Sequence, residues 1–180
     1  MNKLRELQMR VARLERRAAL VEGLQGADFS GRDLKGVDFS NTNLRAANFN
    51  GANLTGAKFM GSNLSGVHLK GANLTGADLT SAILTGASVR DADLTEADLT
   101  GANLRGATLI KSTLTNANFT GANLVGSSLY GVNLEGANLK GADMSVADLR
   151  EATLTNAIYN ANTYLPVLTS AQFKVMHKFP

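Results

Sequence analysis

The chain of 180 residues has no cysteine and no tryptophan, and it has only two prolines and two histidines. Without cysteine there is no disulfide, no thiol nucleophile and no thiolate metal site. No proline occurs before Pro166, so each of residues 2–165 has a peptide N–H that can donate a hydrogen bond. No stretch approaches the roughly 20 apolar residues of a membrane-spanning helix. These absences are consistent with a cytoplasmic protein that relies on backbone hydrogen bonds.

What the sequence does contain is a repeat of five residues. Every fifth residue from Leu24 to Tyr164 is large and apolar, which gives 29 consecutive pentapeptides, 20 with Leu and five with Phe at this place. A period of five matches neither the 3.6 residues of a helix nor the two of a strand. A fixed repeat over 141 residues predicts a solenoid.

Each position of the pentapeptide has a predicted task, and we name the five positions small, Asx, central, outer and turn, in chain order. The small residue, mostly Ala, and the large central residue are two apart, so in an extended segment both point inward. The Asx residue, mostly Asn or Asp, lies between them and points outward, and a polar outer residue follows. The turn position holds 17 of the 18 glycines, because a tight bend every five residues favours a residue without Cβ.

The segments Ala-Asn-Leu-Thr-Gly at 52–56 and 72–76 resemble the A-(D/N)-L-X-X signature of pentapeptide repeat proteins, and the resemblance covers residues 24–164. It implies an all-β solenoid, a right-handed quadrilateral β-helix with the central and small residues inside. The period alone leaves three or four sides open. With four sides the repeats make about seven coils, and the rod is about 34 Å long at roughly 4.8 Å per coil. The resemblance implies no activity common to the family.

The chain is predicted to have three parts, namely an N-terminal amphipathic helix (1–22), the β-helix (23–164) and a C-terminal cap (165–180). Apolar residues at heptad spacing form a seam in the first part: Leu4, Leu7, Val11, Leu14, Ala18 and Val21. This helix either caps the open first coil or pairs with a second copy to make a homodimer. A third interpretation, a membrane-surface helix with a basic face, is weakened by the absence of aromatic residues.

The C-terminal cap is predicted to contain a short helix that closes the far end of the rod. Tyr159, Tyr164 and Pro166 end the repeat, and Thr169 or Ser170 is the expected N-cap. Two apolar side chains of this segment, Phe173 and Met176, are expected to face the rod.

Charge is unevenly distributed, with a net +3 in residues 1–22 and a net −2 in the array. One branch of the resembled family consists of strongly acidic rods that dimerise and occupy the DNA site of type II topoisomerases. A DNA mimic needs a dense acidic surface, so a nearly neutral array disfavours this role. Nucleic-acid binding is also disfavoured, since the array has neither a basic stripe nor interleaved aromatic residues.

The sequence offers little for catalysis, which needs titratable groups that converge in a pocket. His68 stands at an Asx position and His177 in the tail, while the repeat spreads the aspartates along the rod. No Gly-Lys-Ser/Thr phosphate loop occurs. We therefore predict no enzyme, no metal site and no cofactor.

The remaining candidate is the surface. If four repeats make a coil, outer residues 20 apart stack in one column, which reads Lys70, Arg90, Ile110, Tyr130 and Arg150. An exposed apolar pair between arginines has the residue types of a protein contact site, although single exposed apolar residues are ordinary. We predict a non-enzymatic scaffold that binds another protein through this column. The alternatives are a DNA-mimic regulator of a topoisomerase-like enzyme and a purely structural homodimer.

Overall fold

The computed structural model describes residues 23–179, so the predicted seam from Leu4 to Val21 lies outside the described residues. Regular elements are short: strand β1 (Ile158–Tyr159), helix α1 (Ser170–Lys174) and strand β2 (His177–Lys178), which pairs with β1 in parallel. Elsewhere, single-residue parallel bridges join each Asx position to the residue 20 further on, from Asp28–Asn48 to Asn138–Ile158. Twenty residues, or four pentapeptides, therefore separate one coil from the next.

In the interior of the array, backbone hydrogen bonds run along the rod in both directions from each repeat. The Leu54 N–H donates to the Asn73 carbonyl in the next coil (2.7 Å), and the Gly56 N–H donates to the Thr75 carbonyl (2.9 Å). The N–H of the Asx residue donates to the preceding coil, as the Asn73 N–H does to the Ala52 carbonyl (3.0 Å). Each pentapeptide thus places three N–H groups in the ladder, which is why a sequence without proline suits this fold.

The amide of the outer residue is satisfied by the Asx side chain instead. The Thr55 N–H donates to Asn53 Oδ1 (3.2 Å), and the Thr55 hydroxyl donates to the same oxygen (2.7 Å). Every Asn and Asp at this position between Asp28 and Asp148 accepts the amide two residues on. The preference for Asn or Asp therefore has a local cause, because these short side chains reach their own backbone.

The fifth amide closes the turn between repeats. The Ala57 N–H donates to the Leu54 carbonyl (2.9 Å), and the turn residue between them has a positive φ, as in a type II turn. Positive φ holds at every turn position from Gly26 to Asn156. Ten of these residues are not glycine: Asn41, Ala46, Ser81, Asp91, Glu96, Lys111, Asn116, Val146, Glu151 and Asn156. A left-handed conformation costs such residues about 1–2 kcal/mol each, so the ladder holds them against their own preference.

The interior is filled by the central and small residues, as the repeat predicts. In the middle of the array Leu94 is 1% exposed and Ala92 is 2% exposed. Where serine replaces alanine, its hydroxyl donates to a main-chain carbonyl, as Ser62 Oγ does to Phe59 (2.6 Å). A buried hydroxyl without such a partner would be destabilising.

Phenylalanines fill the interior of the first coils. The rings of Phe29 and Phe49 stack with centroids 4.8 Å apart, and those of Phe39 and Phe59 stack at 5.3 Å. The two stacks meet edge to face, with 5.7 Å between the Phe39 and Phe49 centroids and 74° between the ring planes. Such offset and tilted contacts are the favourable geometries for aromatic pairs.

The pentapeptide register breaks before Tyr164. This residue pairs with Asp143, 21 positions earlier, and it is 65% exposed, so the expectation that Tyr164 points inward is wrong. The turn that precedes it holds an additional residue. Its polar groups are used locally, since the Gly141 N–H donates to both Asn160 Oδ1 and Thr163 Oγ1 (3.1 Å each).

The tail folds back over the last coil. Thr169, one of the two predicted N-caps, accepts the Gln172 N–H at its hydroxyl (3.2 Å), and Gln172 Oε1 accepts the Thr169 N–H in return (3.0 Å). Met176 is buried as predicted, whereas Phe173 is 46% exposed and contacts the Tyr159 ring edge-on at 5.9 Å. The tail thus covers part of the core that the last coil leaves open.

Truncating a side chain should lower the free energy of unfolding more at an inside position than at an outside position. We expect Leu94→Ala to lower the free energy of unfolding by about 2–5 kcal/mol, because a cavity between stacked coils cannot collapse. Thr95→Ala, at the adjacent outer position, removes only a partly buried hydroxyl that donates to Asp93 (2.6 Å) and should cost far less. Chemical denaturation measures both, and equal losses would contradict the assignment.

Strain at the turn position predicts a stabilising substitution. Val146 is β-branched, has φ 53° and is 80% exposed, so Val146→Gly should raise the free energy of unfolding by about 1 kcal/mol. Val125→Gly is the matched control, since the outer position does not need a positive φ and glycine only adds freedom to the unfolded chain. In both thermal and chemical unfolding, Val146→Gly should be more stable than the wild type and Val125→Gly should be less stable. A loss of stability in both would show that the turn is not strained.

Candidate functional site

The predicted column exists as a geometric unit. The Gly71 N–H donates to the Arg90 carbonyl (2.9 Å) and the Asp91 N–H to the Ile110 carbonyl (3.0 Å), so successive column residues lie on adjacent coils. The same bonds join Lys111 to Tyr130 (3.0 Å) and Gly131 to Arg150 (2.9 Å). Neighbouring backbones in such a ladder are about 4.8 Å apart. We call the side of the rod that carries Lys70, Arg90, Ile110, Tyr130 and Arg150 the column face.

The apolar pair of the column is less exposed than the sequence suggested. Lys70, Arg90 and Arg150 are exposed, whereas Ile110 and Tyr130 are only partly exposed. The pair therefore forms a shallow apolar strip between cationic residues, and not two freely projecting side chains.

Arg150 is already engaged within the chain. Its Nε donates to Asp148 Oδ1 (2.9 Å) and its Nη2 to Asp148 Oδ2 (2.8 Å), which is a bidentate pair. The guanidinium carbon also lies 5.9 Å from the centroid of the Tyr130 ring. Both partners of the ion pair remain accessible to solvent, with the side chain of Arg150 79% exposed, so the pair contributes little to stability.

These contacts shift the ionisation of the groups at this end of the column. The hydrogen bond from the Arg150 side chain, aided by the Arg150 N–H, lowers the pKa of Asp148 to about 2. A hydrogen bond to Glu151 raises the pKa of Tyr130. Among the described residues, Lys70 and Arg90 form no ion pair, so they are the cations of the column that remain available to a partner.

The other sequence candidates do not converge. His68 is exposed, and His177 lies in the tail with its Nε2 3.0 Å from Asn156 Oδ1. Residues 23–179 contain no group of three or more His, Cys, Asp or Glu side chains placed to hold a metal ion. Over the same residues, no helix has the length and apolar character to cross a membrane.

Two features were missed by the sequence reasoning. One is a set of exposed apolar residues away from the column, namely Ile83 in the array and Val167, Val175 and Phe179 in the tail. The other is a groove of about 440 Å³ at the C-terminal end of the column face, between residues 147–152 of the last coil and the tail residues Val167, Thr169 and Gln172. The path of the tail decides the groove and the exposure of the tail residues, and no repeat pattern reports that path.

The sequence model of pentapeptide repeats matches the chain in eight copies, over residues 24–61, 62–101, 97–136 and 127–158. This match confirms the resemblance drawn from the Ala-Asn-Leu-Thr-Gly segments. The known structures of that family are right-handed quadrilateral β-helices. No curated protein matches the chain.

Solved structures of other pentapeptide repeat proteins are similar to this chain. One from the thylakoid lumen of Arabidopsis thaliana is 37% identical, with 68% of this chain and 71% of that chain covered and a TM-score of 0.44. Rfr23 from the cyanobacterium Cyanothece 51142 is 28% identical, with 76% and 90% covered and a TM-score of 0.39. QnrB1, a plasmid-mediated fluoroquinolone resistance protein, is 22% identical, with 87% and 90% covered and a TM-score of 0.41.

The Arg150–Asp148 pair predicts a specific change in titration. Arg150→Ala should raise the pKa of Asp148 from about 2 toward 3.8, since the side-chain hydrogen bond is its largest cause. In the native protein the pair stabilises the fold at neutral pH, and this contribution is lost as the pH falls from 3.8 through about 2. Carboxyl carbon NMR against pH measures the shift, with Arg90→Ala as the control. An unchanged Asp148 titration in Arg150→Ala would contradict the observed pairing.

Proposed function

The chain belongs to the pentapeptide repeat family, and from that premise we propose that it is a non-enzymatic scaffold that binds another protein through the column face. Proteins of this family are generally structural or binding proteins without catalysis. The observation that carries the proposal is the arrangement of Lys70 and Arg90, exposed and without an ion pair to any of residues 23–179, in one column with the apolar strip of Ile110 and Tyr130. Cationic and aromatic residues around an apolar centre are typical of protein contact sites.

The mechanism is rigid presentation. The backbone ladder fixes the outer residues of successive coils at one spacing, and the buried central residues keep the coils from sliding. A surface that is ordered before binding loses less entropy on association than a flexible loop. The free cations favour a partner whose contact surface is acidic.

The proposal includes the finer architecture. We infer a right-handed rod of about seven coils over residues 23–164, from 29 repeats at four per coil. The proposal keeps residues 1–22 as a cap or dimer helix and residues 165–180 as the C-terminal cap. The partial burial of Leu24, Phe29 and Leu34 in the first coil favours a cap there. The absence of cysteine favours a cytoplasmic location.

A structural homodimer is the second candidate, and the heptad seam of residues 1–22 favours it. Light scattering separates the two, because a cap predicts a monomer near 18.9 kDa, whereas a seam predicts a dimer that is lost when Leu7 and Leu14 become polar. The DNA-mimic alternative is supported less, since the array carries a net charge of only −2.

Charge reversal on the column tests the proposal. We expect the double variant Lys70→Glu/Arg90→Glu to capture at least tenfold less of the protein that the immobilised wild type retains from a cell extract, because a rim charge of the wrong sign repels the partner. The double variant Arg45→Glu/Arg105→Glu is the control, with the same change in net charge at exposed outer positions of another side. Equal capture by all three proteins would refute the column as the contact site.

A further inference from the structure

The tail covers only part of the last coil's edge. On one side the Met144 N–H donates to the Tyr164 carbonyl (2.8 Å). On another, the His177 N–H donates to the Ala157 carbonyl (2.8 Å), and β2 continues the ladder beside β1. On the column face the tail adds no strand, and the groove lies at that place.

Among the described residues, three backbone groups at this edge have no hydrogen-bond partner, although their equivalents in every earlier coil have one. One coil before, the Leu129 N–H donates to the Asp148 carbonyl (2.8 Å) and the Gly131 N–H to the Arg150 carbonyl (2.9 Å). Within residues 23–179, the equivalent N–H groups of Leu149 and Glu151 meet no acceptor. The Ala147 carbonyl likewise receives no donor there, although its equivalent one coil before accepts the Asp148 N–H (3.0 Å). Such groups need a partner when water is removed.

The sequence explains why this side stays open. Residues 167–169 would supply the next strand on the column face if the 20-residue period continued. The additional residue before Tyr164 shifts the register, Pro166 has no N–H to donate, and α1 begins at Ser170. Gln172 Nε2 donates to the Leu149 carbonyl (2.9 Å) and holds α1 beside the edge, while Val167 remains fully exposed at the rim.

We propose that this groove binds an extended segment of a partner protein, which adds to residues 147–151 as a parallel strand. The inference rests on the proposed function and names the kind of segment that the scaffold takes. The bound segment donates one N–H to the Ala147 carbonyl, and two of its carbonyls accept the N–H groups of Leu149 and Glu151. These are the three bonds that residues 127–131 make with residues 148–150.

The groove also limits the occupant. A second rod stacked end to end would need the whole edge, but Tyr164 and β2 already cover other sides of it. One strand fits, and its inward side chains pack against Ala147, Leu149 and Val167, which favours small or aliphatic residues at alternate positions. The groove opens beside Arg150, the last residue of the column, so one partner can contact both.

The experiment uses the full chain and a fluorescent peptide that copies residues 106–111 (Gly-Ala-Thr-Leu-Ile-Lys), a column-face strand of the protein itself. In the free protein, NMR should show the Leu149 and Glu151 amides exchanging with solvent at least tenfold faster than those of Leu129 and Gly131. Saturating peptide should slow the two exposed amides at least tenfold. A peptide N-methylated at the Thr, which removes the donor to Ala147, should bind at least tenfold more weakly by fluorescence anisotropy.

A pair of valines at this end gives a matched test of the groove. Val167→Glu places a charge against the inserted strand and should weaken peptide binding at least tenfold. Val146→Glu should leave binding unchanged, since Val146 is exposed but does not line the groove, and glutamates already occupy its turn position at Glu96 and Glu151 with φ 58° and 59°.

Three results would overturn the inference. Slow exchange of Leu149 and Glu151 in the free protein would mean that the chain closes its own edge. If the peptide slows the exchange of amides elsewhere, it binds at another site. If Val167→Glu and Val146→Glu weaken peptide binding equally, the groove is not the binding site. If substitution of Lys70 and Arg90 lowers partner capture but substitution of Val167 does not, only this inference fails. If substitution of Lys70 and Arg90 leaves partner capture unchanged, the proposed function itself is contradicted.

Discussion

The structure depends on the hydrogen-bond ladder between residues that are 20 positions apart. Each side of a coil contributes one bridge and no long strand, so stability comes from repetition along the rod. Because the ladder fixes the spacing between coils, it also stacks the central residues inside and lines up the outer residues outside. The phenylalanine stacks and the column face are consequences of this one constraint.

The ladder also holds residues in conformations that they would not adopt alone. Ten residues other than glycine occupy the left-handed turn position, including the β-branched Val146. At the same end, the ladder is incomplete on the column face, where Leu149 and Glu151 have no acceptor among the described residues. The last coil therefore combines residues in left-handed turn conformations with backbone donors that meet no acceptor among the described residues.

The pentapeptide period was sufficient to predict which residues are inside, because the small and central positions are defined by local geometry. It did not give the number of sides, which depends on how far each turn rotates the chain. It failed at Tyr164, where a large residue continues the period in sequence although an additional residue in the preceding turn has shifted the backbone. The partners of Arg150 and the open edge at Leu149 were likewise not predictable, because contacts between coils and the path of the tail decide them.

The most direct test of the 20-residue coil is the distance between Thr55 and Thr155, outer residues of the same side that are 100 positions apart. The chain has no cysteine, so cysteines introduced at these two positions can be spin-labelled selectively and the distance read by electron paramagnetic resonance. Five coils at roughly 4.8 Å predict about 24 Å between the two backbones. A three-sided coil of 15 residues would place them about 32 Å apart, and that result would contradict the four-sided ladder.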